Sequence, residues 1–99
     1  MTGQQDPVVF KSEDALWRQL QSGERRFDMR RWDMSDERIY RLAWGRLTNP
    51  GGYVPDVKEV TFVNKLTGEA LTLEFTGLEY TTWAPGWVFL VFKPFVAGE

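Results

Sequence analysis

The spacing of hydrophobic residues along the chain changes period several times, and each change marks an element. After a polar tail over residues 1–7 that ends at Pro7, the apolar run Val8, Val9, Phe10 predicts a short strand. Apolar positions then fall at Leu16, Trp17 and Leu20, with Arg18, Gln19 and Gln21 facing the other way, which is the period of a helix over about 13–22. Ser12 has the chemistry of an N-cap, Glu13 and Asp14 suit the positive end of the helix dipole, and Gly23 supplies a left-handed stop. Over residues 26–32 the period drops to two. Phe27, Met29 and Arg31 share one face, and Arg26, Asp28, Arg30 and Trp32 share the other.

Helical spacing returns at Ile39, Leu42 and Ala43, with Ser35, Asp33 and Asp36 available to cap and start a second helix, although IYRLAW at 39–44 reads as a strand equally well. The stretch TNPGGYVPD, 48–56, is turn chemistry throughout. Val60 and Phe62, then Leu71, Leu73 and Phe75, alternate about a turn at 65–68 and predict a hairpin. EYTTWAPG, 79–86, reads as a loop, and WVFLVF, 87–92, as a last strand buried on both sides because it has no polar position. The expected architecture is α+β: a small, partly closed β-barrel with one or two flanking helices, one domain over 8–96 behind a flexible tail at 1–7.

Composition removes whole classes of chemistry from consideration. The 99 residues include no cysteine and no histidine, which excludes disulfides, thiolate or histidine nucleophile systems and the usual zinc and haem ligand sets. No cofactor and no metal site is expected. The N-terminus lacks the basic and apolar regions of a secretory leader, and the longest apolar run, WVFLVF, is far below the ~20 residues of a membrane helix. A cytoplasmic protein with no membrane partner, and a monomer, is the expectation. All eight arginines fall between Arg18 and Arg46; residues 1–50 carry nine basic and eight acidic groups, and residues 51–99 three and six. That balance does not suit a general DNA coater, but a local arginine face can still hold phosphate.

The arginines concentrate in SGERRFDMRRWD, 22–33. Such a strand can be a solvated edge whose charges discourage aggregation. It can also be a binding wall: Arg26 and Arg30 flank Asp28, which would hold a guanidinium fork toward a phosphate, and Trp32 on the same face offers a ring for a base. Trp83, in a loop beside Pro85, is a further ligand candidate, while Trp17, Trp44 and Trp87 are assigned to the core and Glu74 to solvent.

LQSG followed by a strand of the form G-x-K/R-x-x-(D/E)-x-R, here Gly23, Arg25, Asp28 and Arg30, resembles the signature of the ASCH domain, a small β-barrel related to the PUA fold. PGWVFLVF, 85–92, is similar to the last strand of that family. The resemblance implies a cleft between the first helix, the motif strand and the loop before the last strand that holds RNA, nucleotides or modified nucleosides. One branch resembles amidohydrolases that deacetylate N4-acetylcytidine, with lysine at the third motif position, threonine at the sixth and a later glutamate. Here Arg25 and Asp28 stand at those two positions, and the segment 33–44 replaces a glycine-aspartate turn. Arginine does not give up its proton as a buried lysine does, so binding through Arg25, Arg26, Asp28, Arg30, Trp32 and Trp83 is expected ahead of catalysis. A hydrolytic alternative would use Glu79 or Asp28 as base and an arginine for the oxyanion. A third alternative, from another class, is a small accessory or phage-type module whose tryptophans dock on a protein partner.

Overall fold

Val8–Ser12 forms β1, with residues 8, 10 and 12 buried and 9 and 11 exposed, so the strand shows its inner face to the core and its outer face to solvent. The computed structural model describes residues 7–48, 57–80 and 82–93, and of residues 44–48 the backbone alone. After β1 come α1 (Asp14–Ser22), β2 (Phe27–Arg31), α2 (Glu37–Thr48), β3 (Glu59–Asn64), β4 (Ala70–Tyr80) and β5 (Trp87–Phe92). The strands lie in the order β1-β3-β4-β5-β2, parallel only between β1 and β3.

One long strand curls this sheet into a half-barrel. The first part of β4 pairs with β3, the second with β5, and the register shifts between Phe75 and Gly77. Gly77 has φ 151°, a backbone setting that side chains rarely adopt, which is why the corner falls at a glycine. The interior is filled by rings: Phe10 lies on Phe62 at 5.9 Å between centroids, and Phe62 meets Phe92 edge-on at 5.3 Å. Trp17 and Leu20 of α1, and Ile39, Leu42 and Ala43 of α2, complete the same cluster. The buried Trp17 Nε1 donates to the Phe62 carbonyl at 3.0 Å, so α1 is fixed to β3 by a bond as well as by apolar contact.

The partly closed α+β barrel, the Gly23 stop (φ 81°) and the hairpin of β3 and β4 agree with the sequence pattern. The helix α2 covers Glu37–Thr48, so the strand alternative for IYRLAW falls. Neither serine caps its helix. Ser12 is the buried last residue of β1, whose carbonyl takes the Lys65 N–H, and Glu13 occupies the N-cap position without a side-chain capping bond, its carboxylate pairing instead with Lys65. Ser35 donates to Asp33 in an Asx turn, while Asp36 accepts the Arg38 backbone N–H and caps α2.

Glu79 and Tyr80 belong to β4, because pairing with Phe89 and Val88 carries the strand past the expected loop start. The last strand is buried on one face only. Val88, Leu90 and Phe92 point inward, while Trp87 is 36% exposed and cannot be counted in the core. Residues 1–6 of the expected tail over 1–7, residues 49–56 of the expected turn over 48–56 and the side chain of Trp44 lie outside the described residues, and Thr48 is the last residue of α2.

Candidate functional site

The half-barrel leaves a seam between its two edge strands, β1 and β2, and the strand motif sits on it. Because β1 pairs with β3 on one side only, the carbonyls of Val9 and Lys11 point to the open edge and need donors. Two guanidiniums supply them. Arg30 Nη2 donates to the Lys11 carbonyl at 3.2 Å, and Arg38 Nη1 to that of Val9 at 3.5 Å. Both guanidiniums also lie 4.5 Å from the centre of the Phe10 ring. Side chains from β2 and α2 therefore close the barrel where a strand ladder does not.

Each of these arginines is fixed by an acid two residues before it. Asp28, 4% exposed, accepts Arg30 Nε at 2.6 Å, and Asp36 takes Arg38 through two bonds at 3.0 and 2.7 Å. The spacing works differently in the two elements. On β2 it puts both residues on the inward face; at the start of α2 it lets the cap residue reach forward over the first turn. The Arg38 hydrogen bonds hold the Asp36 carboxyl below its ordinary range, and the same contact raises Arg38.

Beside the seam lies a groove of about 330 Å³, bordered by Arg30, Arg31, Arg38, Asp33, Asp36 and Trp87. Its charges nearly balance, three arginines against two aspartates. Arg31 differs from its neighbours: it is exposed, makes no ion pair among the described residues, and its guanidinium lies 5.1 Å over the ring of Trp87, its cross-strand partner. A flat cation on a flat ring at the mouth of a polar groove is suited to a planar, anionic ligand.

The predicted residues divide between the two faces of the sheet. Asp28 and Arg30 come together at the seam. Arg25 is half-buried, 4.6 Å over the ring of Phe27, with Nη1 donating to Gln19 at 3.3 Å. Arg26 is exposed, and its carbonyl accepts the Phe92 N–H. Trp32 is half-buried with its ring edge-on to Tyr80 at 5.3 Å, and Trp83, 73% exposed, lies 5.9 Å from Phe89.

The two candidate bases are not brought together. Asp28 lies opposite the buried Leu90 and faces inward; Glu79 lies opposite Phe89 and is exposed on the outer face. Glu74 is exposed and pairs with Lys93 at 3.1 Å, as its alternation predicts. Arg31 and Trp87 escape sequence reasoning because their meeting depends on the β2–β5 register, and Arg38 because its partner on the β1 edge is distant in sequence. The repeated Asp-x-Arg, at Asp28–Arg30 and Asp36–Arg38, was the available signal. Among the described residues no three acids converge as metal ligands, and no helix is long and apolar enough to cross a membrane.

Acid should weaken this fold through three carboxylates. Asp14, held low first by the Asn64 amide, Asp33, by the Ser35 hydroxyl, and Asp36, by Arg38, all lie below the ordinary value of 3.8. A carboxylate depressed in the folded state stabilises it above that ordinary value, and the contribution is lost as pH falls through the lower folded value. Thermal unfolding should therefore give a constant Tm from pH 7 to about 5 and a decline below about 4. Asp36→Asn should flatten part of that decline, and an acid-stabilised fold would contradict the assignment. No protein-family model, curated protein or solved structure matches the chain.

Proposed function

We propose that this domain binds a nucleotide or a short segment of RNA as an ASCH/PUA-like module in the cytoplasm. The phosphate is received at Arg31 and the free edge of Arg30, and a base is stacked at Trp87. The observation that carries the reading is the Arg31 guanidinium over Trp87 at the mouth of the arginine-lined groove. The motif residues Gly23, Arg25, Asp28 and Arg30 support the kinship, and the curled half-barrel is compatible with it. Asp28 acts here as a positioning residue. It fixes Arg30 through Nε, which leaves part of the guanidinium for a ligand. Binding is favoured over hydrolysis by the inward Asp28, the outward Glu79 and the arginine in the lysine position. The cysteine-free composition suits a reducing compartment.

The test is a tryptophan-fluorescence titration with cytidine and uridine nucleotides and with short single-stranded RNA, at two salt concentrations. Arg31→Ala should weaken binding roughly five- to tenfold and reduce the salt slope by about one. Because Arg31 is exposed, the same change should alter stability by no more than about 0.5 kcal/mol. Equal affinity in wild type and variant, or no saturable signal with any nucleotide, overturns the reading.

A further inference from the structure

The outer face of β2 and β5 carries a strip of rings that the groove does not use. Phe27 is 40% exposed and lies 5.5 Å from Phe89 on the next strand, and Phe89 in turn lies 5.9 Å from the largely exposed Trp83. Trp87, 36% exposed, stands on the same face two residues before Phe89. A folding argument alone does not place these rings. Inward positions of both strands are filled by Asp28, Arg30, Val88, Leu90 and Phe92, while α1 and α2 contribute their apolar residues to the interior cluster. Among the described residues, no helix covers the outer strip.

We infer that this strip is a stacking platform for a single-stranded polynucleotide, an inference that rests on the nucleotide reading above and extends it from one nucleotide to a strand. Three observations choose that occupant over a protein. The exposed side chains are planar, and base stacking on aromatic rings or guanidinium planes tolerates any sequence. An arginine is stacked at two positions along the strip, Arg25 at 4.6 Å over Phe27 and Arg31 at 5.1 Å over Trp87, so the cations sit where a backbone could follow the bases. Local charge is complementary: of the outward acids of the sheet, Glu59 and Glu74 lie paired across β3 and β4, with Glu74 also bound to Lys93, so Glu79 is the acid beside the rings, against Arg25 and Arg31 stacked on them. The core of a protein interface is, in contrast, typically depleted of charge. Trp87 and Arg31 border both the groove and the strip, so a strand entering the groove with one nucleotide lays the following bases toward Phe89, Phe27 and Trp83.

The experiment is calorimetric titration of the full chain with uridine monophosphate and with oligouridylates of three and six nucleotides. Affinity should rise at least about tenfold from monomer to hexamer, since each stacked base adds measurably. Phe27→Ala and Trp83→Ala should each reduce hexamer affinity about fivefold or more and leave the monophosphate unchanged. Trp83, on an exposed turn, is the variant that does not threaten folding. Equal affinity for monophosphate and hexamer overturns the platform and leaves the nucleotide site standing. No binding of either overturns both. Sedimentation as a dimer that Phe27→Ala dissociates would assign the strip to a second copy of the chain and overturn the proposal.

Discussion

Phe62→Ala should destabilise the domain by about 3–5 kcal/mol, the cost of removing a fully buried ring and leaving a cavity. Phe62 has no exposed surface, lies against the Phe10 and Phe92 rings, and offers its carbonyl to Trp17. The loss therefore reaches β1, β5 and α1 from one position on β3. A domain of this length has a total stability of about 5–15 kcal/mol, so the variant should be partly unfolded near physiological temperature. Chemical denaturation should show the midpoint moving with little change in slope, and a thermal scan should give a Tm lower by roughly 12 °C or more. Phe62→Leu should recover much of the loss by keeping most of the volume. Equal losses in the two variants would place the critical feature in the ring contacts with Phe10 and Phe92, which leucine cannot make, and not in volume alone.

The same interior explains what could be read from the sequence. Elements whose apolar residues all point one way were legible: Trp17 and Leu20 on α1, Val60 and Phe62 on β3, and Leu71, Leu73 and Phe75 on β4 all reach the core that their periods predict. β5 was half legible. WVFLVF is apolar at every position, so its period is silent about which face is covered, and only pairing with β2 shows Trp87, Phe89 and Val91 turned outward. β2 was legible in period but not in sense. Hydropathy would turn Phe27 and Met29 inward, yet the structure buries Asp28 and leaves those two about 40% exposed. The reason is the seam: open carbonyls on β1 require donors, and a polar inward face on β2 provides them.

The candidate site divides along the same line. Asp28 and Arg30 are neighbours in sequence at strand spacing, so their contact could be anticipated. Arg31 on Trp87 and Arg38 on the β1 edge join residues that are neighbours in space but far apart in sequence, and no local pattern encodes those partners. Ser12 and Ser35 misled for a related reason. Each has capping chemistry, but the strand claims one and an Asx turn the other.

Breaking the Asp28–Arg30 pair from either side should be costly, and unequally so. Arg30→Met orphans a carboxylate that is 6% exposed and removes the donor to the Lys11 carbonyl, while Asp28→Ala orphans a guanidinium that is 26% exposed and still reaches that carbonyl. Losing one partner of a buried pair costs about 3–5 kcal/mol, the range expected for Arg30→Met. Water reaches Arg30, so Asp28→Ala should cost less, about 2–3 kcal/mol. The double variant should be more stable than the sum of the single losses predicts, because no unpaired charge remains, and denaturant midpoints of the four proteins measure that coupling. Nucleotide affinity separates the two roles of the arginine. If Asp28 positions Arg30 for a phosphate as well as for the seam, Asp28→Ala should bind several-fold more weakly even under conditions where it is fully folded. Affinity equal to wild type there would confine the pair to closing the barrel and leave ligand binding to Arg31 and Trp87.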